Sequence, residues 1–250
     1  MSDRKPRLAF LGQMGQPGRY DPATFARVEG GDDERIWFDR TLERAGIRHA
    51  VEYDGRRVCH GDPLPPLSGE GAPDAVVIGG SFHSVHDGHP WQRDLIEWLQ
   101  AARERGDRAP PVFGICGGHQ LMALALGAPV DMLPGGTLAA THPVTLTDAG
   151  RGHPLFADMP DPPAFHFGNE EQVSVPPEGA EVLARLPGMP IAALDYGGGW
   201  YSVQFHPEAP ADDFAEGWRT SHPEYMKNYT EVPEAPLIFR NFLRLEKVLT

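Results

Sequence analysis

The chain has 250 residues, of which 40% are hydrophobic and 23% are charged, and its formal net charge at pH 7 is −13. This composition is typical of a globular α/β protein, and one domain of this length can bury about 70–75% of its unfolded surface. The negative charge argues against nucleic acid or an anionic membrane as a partner, because both are themselves negatively charged.

Targeting features and cysteine usage predict a cytoplasmic protein. No apolar run approaches the ~20 residues that span a membrane, and no secretory signal precedes the first predicted strand. Two cysteines, Cys59 and Cys116, fit a reducing compartment. Cys59 lies in a stretch rich in proline and glycine and is interpreted as unpaired and without a role.

The N-terminal segment predicts two strands separated by a long loop and a helix. Residues 7–11 indicate a buried strand. Residues 12–31 form a glycine-rich loop that we expect at the carboxyl edge of a sheet, where open α/β sheets carry their sites. A helix over residues 36–45 follows and ends at Gly46, and residues 50–53 suggest a second strand.

A third buried strand, over residues 74–78, ends in Gly79-Gly80. Glycines directly after a strand can present a backbone N–H to a developing negative oxygen with no side chain in the way, as an oxyanion hole requires. The alternative is a plain turn. The position after a strand favours the oxyanion role.

Three histidines follow at a spacing of three residues, namely His83, His86 and His89. A metal site is one interpretation, but no flanking pattern of cysteines or carboxylates completes it. We therefore predict no metal and interpret the segment as a polar loop beside the site. Residues 90–104 predict an amphipathic helix that begins with a proline.

Residues 112–120 carry the strongest chemical signal. The apolar run 112–115 is typical of a buried strand, and Gly114-Ile115-Cys116-Gly117-Gly118 has the G-x-nucleophile-x-G form of a nucleophile elbow. Helix formers follow, so Cys116 is predicted at a helix N-terminus, where the dipole favours a thiolate. Free cysteine is more often a small buried hydrophobe, but the flanking glycines favour a nucleophile here.

The C-terminal half predicts further strands and a possible base. Residues 142–147 and 164–167 indicate strands of an antiparallel extension, and two more strands are predicted at 181–185 and 190–194. The alternating run 200–205 leads directly into His206-Pro207-Glu208. Because His206 and Glu208 are two residues apart at a strand end, both can point the same way, as a base and its orienting group must.

Two motifs together carry a family resemblance. Gly114-Ile115-Cys116-Gly117-Gly118-His119-Gln120 and Gln204-Phe205-His206-Pro207-Glu208 resemble the two signatures of class I, triad-type glutamine amidotransferases, and the segment after Gly79-Gly80 resembles the stand-alone glutaminases of the GMP-synthetase type. The resemblance implies a flavodoxin-like, doubly wound, mostly parallel α/β sheet with a small antiparallel extension. It implies a single domain over residues 1–250 with an unmatched acidic insertion at about 209–235.

The resemblance also implies residue roles. Cys116 is the expected nucleophile, His206 the base, and Glu208 the group that fixes the imidazole tautomer. Gly80 and Gly117 are expected to supply the oxyanion N–H groups. The residues expected to bind substrate are Gly79, Gln120, Gly168, Asn169 and Glu170.

Glu170 departs from the family pattern, because relatives have glycine at this position. In relatives the loop meets the amino and carboxylate groups of glutamine through its backbone. A carboxylate there either holds the substrate ammonium or repels its α-carboxylate, and the sequence leaves both alternatives open.

The implied activity is hydrolysis of the glutamine side-chain amide through a cysteinyl thioester, with no cofactor. The chain has no P-loop or other ATP-binding signature, so a synthetase that accepts the ammonia would be a separate chain. The alternative is a free-standing hydrolase of a γ-glutamyl amide or peptide, and the complete triad disfavours a third hypothesis, a non-catalytic binding module. Residues 209–235 are either a solvated loop with a helix or a lid or docking surface.

Overall fold

The computed structural model describes residues 4–249, which form strands, α-helices and short 3₁₀ turns. The strands are β1 (Arg7–Gly12), β2 (Glu52–Arg57), β3 (Ala75–Ile78), β4 (Val112–Ile115), β5 (Val130–Met132), β6 (Leu138–Pro143), β7 (Thr145–Leu146), β8 (Ala164–Asn169), β9 (Glu171–Val173), β10 (Glu181–Leu186), β11 (Met189–Gly197) and β12 (Trp200–Val203). The helices are α1 (Glu34–Arg44), α2 (Pro90–Glu104), α3 (Gly117–Ala125), α4 (Asp148–Arg151), α5 (Ala211–Glu216) and α6 (Leu237–Leu245).

The main sheet has eight strands in the order β2-β1-β3-β4-β12-β11-β10-β7. The first five of these pair in parallel, and the pairings from β12 to β7 are antiparallel. The order of the parallel half, with the first strand between the second and the third, is that of flavodoxin-like sheets. The carboxyl ends of β3, β4 and β12 therefore meet at one edge, which is where the three predicted motifs lie.

Both faces of the sheet are covered, which explains why the parallel strands are almost continuously apolar. Phe10 and Phe113 face one side, where they pack with Phe38 of α1 and with Phe239 of α6. The next residues along each strand face the other side, where α2 and α3 cover them. This arrangement confirms the doubly wound fold. Among residues 4–249, no helix is long and apolar enough to cross a membrane.

Two smaller antiparallel sheets extend the fold. β5 pairs with β9, and β6 pairs with β8. An isolated bridge joins His166 of β8 to His206, whose N–H donates to the His166 carbonyl at 2.8 Å. This contact fixes the middle of β8 beside the residues that follow β12.

Two predicted boundaries were wrong. The second strand is Glu52–Arg57 rather than residues 50–53, because residues 48–50 form a 3₁₀ turn. The segment 142–147 is not one strand: β6 ends at Pro143, and β7 turns away to pair with β10. Strand β2 is a polar edge strand without apolar alternation, and the alternation of Val144 and Leu146 does not show that the chain changes sheets after Pro143.

Gly118 lies where α3 approaches β3 most closely. A Cβ atom at this position would lie 2.5 Å from the Ile78 carbonyl oxygen. We expect Gly118→Ala to reduce the free energy of unfolding in urea by about 1–3 kcal/mol, the usual cost of overpacking. Gly135→Ala is the matched control, because nothing lies within 4 Å of its added methyl group. Equal stability of both variants would contradict the close contact.

Candidate active site

Cys116 lies at the turn between β4 and α3, where its backbone has φ 48° and ψ −102°. A non-glycine residue rarely adopts positive φ, and such strain persists only where the surroundings enforce it. Here the Cys116 N–H donates to the Val203 carbonyl of β12 at 2.8 Å. The strand-to-helix elbow predicted from the sequence is therefore present, with its sulfur at the start of α3.

His206 and Glu208 lie beside this turn, as their position after β12 predicted. His206 Nδ1 is 2.7 Å from Glu208 Oε1, and the imidazole also interacts with the Cys116 side chain. Because Nδ1 is taken by the carboxylate, Nε2 is the nitrogen left for the thiol. The structure thus brings the three predicted residues together in the order sulfur, imidazole, carboxylate.

The charge of the imidazole is set by opposing effects. Burial lowers the pKa of His206, but the Glu208 carboxylate and the Cys116 side chain outweigh it, and the net result is a pKa raised to about 10. The raised pKa favours the imidazolium form of His206. Burial raises the pKa of the Cys59 thiol to about 12.

The Gly79–Gly80 peptide lies against the same site. A Cβ atom at Gly80 would lie 2.8 Å from His206 Cε1 and 3.6 Å from Cys116 Cβ, so only glycine fits. The Gly79 carbonyl accepts the Gly118 N–H at 3.0 Å and the Gln13 side-chain amide at 2.7 Å. Since the carbonyl and N–H of a trans peptide point in opposite directions, the Gly80 N–H faces away from these two donors.

Gln13 was not singled out from the sequence. Its side chain is fully buried, and its Oε1 atom has no hydrogen-bond partner. It lies between the Gly79 carbonyl and Gly117, whose added Cβ would be 3.4 Å from Gln13 Nε2. A lone glutamine in a glycine-rich loop gives no sequence signal, because its partner is 66 residues away.

Two of the predicted substrate-binding residues contact the centre of the site. Asn169 Nδ2 is 3.4 Å from Cys116 Sγ, and its buried Oδ1 atom has no partner. Gln120 Nε2 donates to the Glu171 carbonyl at 3.0 Å. Both side chains line the cavity in front of Cys116.

The other predicted substrate-binding residues lie at the cavity with different exposure. Both backbone polar groups of Gly79 are hydrogen-bonded within the protein. Its N–H donates to the Leu11 carbonyl, and its carbonyl accepts the Gly118 N–H. Gly168 is covered by the insertion, and a Cβ atom there would lie 3.0 Å from the Phe214 ring. The Glu170 side chain is exposed at the rim, while its carbonyl accepts the Leu133 N–H.

The cavity has a volume of about 680 Å³ and reaches well beyond the sulfur. Part of its wall comes from the acidic segment 209–235, which the structure folds as α5 and a 3₁₀ turn. The Phe214 ring lies 4.6 Å from the His206 ring, centroid to centroid. This segment is therefore part of the site rather than a loop that faces only solvent.

The two other histidines near the elbow are buried and neutral. Burial lowers the pKa of His119 to about 3, and its Nδ1 lies 2.6 Å from the Ser202 hydroxyl. Burial also lowers the pKa of His166, to about 4, and its Nδ1 is 2.9 Å from the Thr141 hydroxyl. Both histidines thus have the buried, hydrogen-bonded environment of structural residues.

Within residues 4–249, one group of side chains could hold a metal ion. The side-chain ligand atoms of His83, Asp87 and His89 lie within 4.8 Å of one another, whereas His86 turns away to the Val130 carbonyl. His83 Nδ1 contacts both Asp87 Oδ2, at 3.1 Å, and His89 Nε2, at 3.0 Å. However, His83 Nε2 faces the Gln16 N–H at 3.3 Å, and this acceptor role places the ring proton on Nδ1, where a metal would bind.

Comparison with known proteins identifies the family. The family model described as Glutamine amidotransferase class-I matches residues 56–216, which is more than half of the chain. This chain belongs to the class I glutamine amidotransferases. The amidotransferase is 34% identical over 180 residues to a glutamine-hydrolysing GMP synthase of Aeropyrum pernix, covering 72% of this chain and 30% of that one. It is 33% identical to a putative glutamine amidotransferase-like protein of Salmonella typhimurium, covering 61% of this chain and 63% of that one.

The amidotransferase thus spans less than two thirds of either relative. Among solved structures, a glutamine amidotransferase from Thermotoga maritima superposes with a TM-score of 0.73 over 99% of this chain and 100% of that chain. The two are only 16% identical, so this likeness supports the fold alone.

The raised pKa of His206 gives a titration test. Because the Glu208 carboxylate raises this pKa, Glu208→Gln should lower it, so that the imidazolium loses its proton at a lower pH than in the parent protein. The measurement is an NMR titration of labelled histidine. Glu224→Gln is the control. Glu224 belongs to a second His-x-Glu pair, in which its Oε1 lies 3.3 Å from Nδ1 of the exposed His222. A His206 pKa that is unchanged in Glu208→Gln would rule out the carboxylate as the cause.

Proposed function

We propose that this amidotransferase hydrolyses the side-chain amide of glutamine through a thioester on Cys116. The observation that carries the proposal is the strained Cys116 turn, with its thiol next to the buried His206–Glu208 pair. A nucleophile, a base and an orienting carboxylate in contact are the requirements for acyl transfer. The family membership supports the same reaction.

Cys116 Sγ attacks the amide carbon, and the carbonyl oxygen becomes negatively charged. His206 holds the proton taken from the thiol, while Glu208 keeps Nδ1 protonated and stabilises the imidazolium. The Gly80 N–H and the Gly117 N–H, the latter at the open first turn of α3, stabilise the oxyanion.

Collapse of the tetrahedral intermediate breaks the carbon–nitrogen bond. His206 gives its proton to the departing nitrogen, and ammonia leaves the thioester. A water molecule, deprotonated by His206, then attacks the thioester carbon. Glutamate is released and the Cys116 thiol is restored, so one amide and one water give one acid and one ammonia.

Gln13 acts as a positioning residue in this proposal. Its amide holds the Gly79 carbonyl, and the peptide plane then keeps the Gly80 N–H aimed at the reacting oxygen. The Gly118 N–H supports the same carbonyl from the elbow helix. A fixed donor needs no reorganisation when charge develops, which is the source of its catalytic effect.

The α-amino and α-carboxylate groups of the substrate glutamine would contact the predicted binding residues. Gln120 and Asn169 lie inside the cavity, next to the sulfur, and Glu170 lies at its exposed edge. An exposed carboxylate tolerates a cation better than a second anion. We therefore propose that the substrate ammonium group binds next to the Glu170 carboxylate.

We further propose that the ammonia passes to a separate synthetase in the cytoplasm. GMP synthases are among the proteins that this chain resembles, and the matched segment covers only 30% of the Aeropyrum pernix protein. Both cysteines are unpaired, which is consistent with a reducing compartment.

The nucleophile can be tested by covalent labelling. A γ-glutamyl diazo-ketone should alkylate Cys116 and spare the buried Cys59, and Cys116→Ser should lower glutamine hydrolysis by at least roughly a thousandfold. Mass spectrometry of the peptides locates the label, and Cys59→Ala, which should still be labelled, is the control. Label found on Cys59 alone would exclude Cys116 as the nucleophile.

Gln13→Met tests the positioning of the oxyanion peptide. Because the Gly118 N–H remains, kcat should fall by about tenfold, less than the ~100–1,000-fold of a lost oxyanion donor. KM should change little, since the substrate ground state does not need this donor. Gln172→Met, which alters another buried glutamine, is the control in steady-state assays. A rise in KM with kcat unchanged would argue against the positioning role of Gln13.

A further inference from the structure

We propose that the outer part of the cavity is a subsite for an apolar, aromatic-bodied amine, so that this enzyme cleaves N-substituted γ-glutamyl amides. The inference rests on the proposed function, because it uses the same nucleophile and the same acyl group. It concerns the nitrogen side of the scissile amide bond. In glutamine this nitrogen carries only hydrogen atoms.

The size of the cavity is the first observation. About 680 Å³ lies in front of Cys116, and sites of ~300–1,000 Å³ are typical of drug-sized ligands. Glutamine is much smaller than such a ligand. Its γ-glutamyl part would occupy only the inner end, beside Cys116, Asn169 and His206.

The outer end is walled by aromatic side chains. Phe25 lies 4.9 Å from the Trp37 ring and 6.2 Å from the Phe82 ring, and Trp218 completes the wall from the insertion. Phe82 is 40% exposed and Met132 is 63% exposed, although both are large apolar residues. Both line this cavity. Unburied apolar side chains gathered at a concave site mark a place where an apolar group binds.

Two loops close over this end of the cavity. The Thr24 and Thr220 hydroxyls are 3.1 Å apart, and a Cβ atom at Gly217 would lie 3.9 Å from the Phe25 ring. The loop after β1 and the segment 209–235 therefore meet and form one wall. Phe214 of this wall lies against His206, which gives up the proton to the leaving nitrogen, so the amine would leave along this wall.

The charges of the cavity do not select a cationic amine. Six carboxylates line it, but three have internal partners: Glu208 bonds to His206, Glu171 to the Ser84 hydroxyl and Glu34 to the Met14 N–H. The lining also holds three further carboxylates and three guanidinium groups, namely Glu43, Glu170, Asp213, Arg19, Arg40 and Arg44. Arg40 also pairs with Glu29 outside the cavity at 3.0 Å. Because the lining carries charges of both signs, the aromatic wall decides the class of the amine.

The chemistry is that of the proposed reaction with a substituent on nitrogen. The bond from Cys116 Sγ to the γ-carbon forms, the carbon–nitrogen bond breaks, and His206 protonates the departing amine. Water then cleaves the thioester and releases glutamate. Such a substrate belongs to the class named by the second function predicted from the sequence, the γ-glutamyl amides.

The test compares γ-glutamyl benzylamide with γ-glutamyl methylamide and with glutamine. Both substituted amides release an alkylamine, so their difference reports on the subsite rather than on the leaving group. We expect kcat/KM for the benzylamide to exceed that for the methylamide by at least tenfold. Equal values with intact glutamine hydrolysis would overturn the subsite alone, whereas failure to cleave any of the three would overturn the proposed function and the subsite with it.

Variants locate the subsite. Phe82→Ala, which removes an exposed ring and so costs little stability, should lower the ratio of benzylamide to methylamide kcat/KM by about fivefold or more. Val175→Ala is the matched control, because Val175 is 54% exposed and does not line the cavity. A ratio unchanged in Phe82→Ala, or a preference for γ-glutamyl 4-aminobutylamide over the benzylamide, would overturn the apolar assignment.

Discussion

The active site depends on the backbone of Cys116, which has φ 48° between a buried strand and a helix. A residue held in this region costs roughly 1–3 kcal/mol, which the surroundings must offset. Here β4 is hydrogen-bonded on both sides, to β3 and β12, and the Cys116 N–H itself bonds to Val203. The strain is therefore held by the most buried part of the sheet.

The same edge of the sheet positions the other groups. Gly80 follows β3 and His206 follows β12, so the three adjacent strands β3, β4 and β12 each deliver one part of the chemistry. The Gly118 N–H bonds to the Gly79 carbonyl and thereby couples the elbow helix to the oxyanion peptide. A shift of α3 would move the nucleophile and this peptide together, which preserves their relative geometry.

The parts of the candidate site that the sequence brings to notice are those encoded locally. Cys116, His206 and Glu208 follow short apolar strands, and the turn chemistry of the elbow lies within five residues. The boundary of β2 was missed because Glu52–Arg57 is a polar edge strand, defined by its pairing with β1. Gln13 was missed for a related reason, because its partner Gly79 is 66 residues away and a lone glutamine does not signal its role. Phe214 was missed because a phenylalanine in an acidic, unmatched segment does not signal that it packs on His206.

The residues proposed to react and the residues proposed to select the substrate come from different parts of the fold. The strand ends hold the reacting groups in strained, buried positions that tolerate little change. The aromatic wall instead comes from the loop after β1 and from residues 209–235, which meet through Thr24 and Thr220. Because loops vary without disturbing the sheet, the proposed amine subsite can change while the strand ends that hold the proposed reacting groups stay fixed. Phe214 is the exception, since it belongs to the loop wall yet packs on His206. Through this ring, the segment that forms part of the aromatic wall also contacts the proposed base.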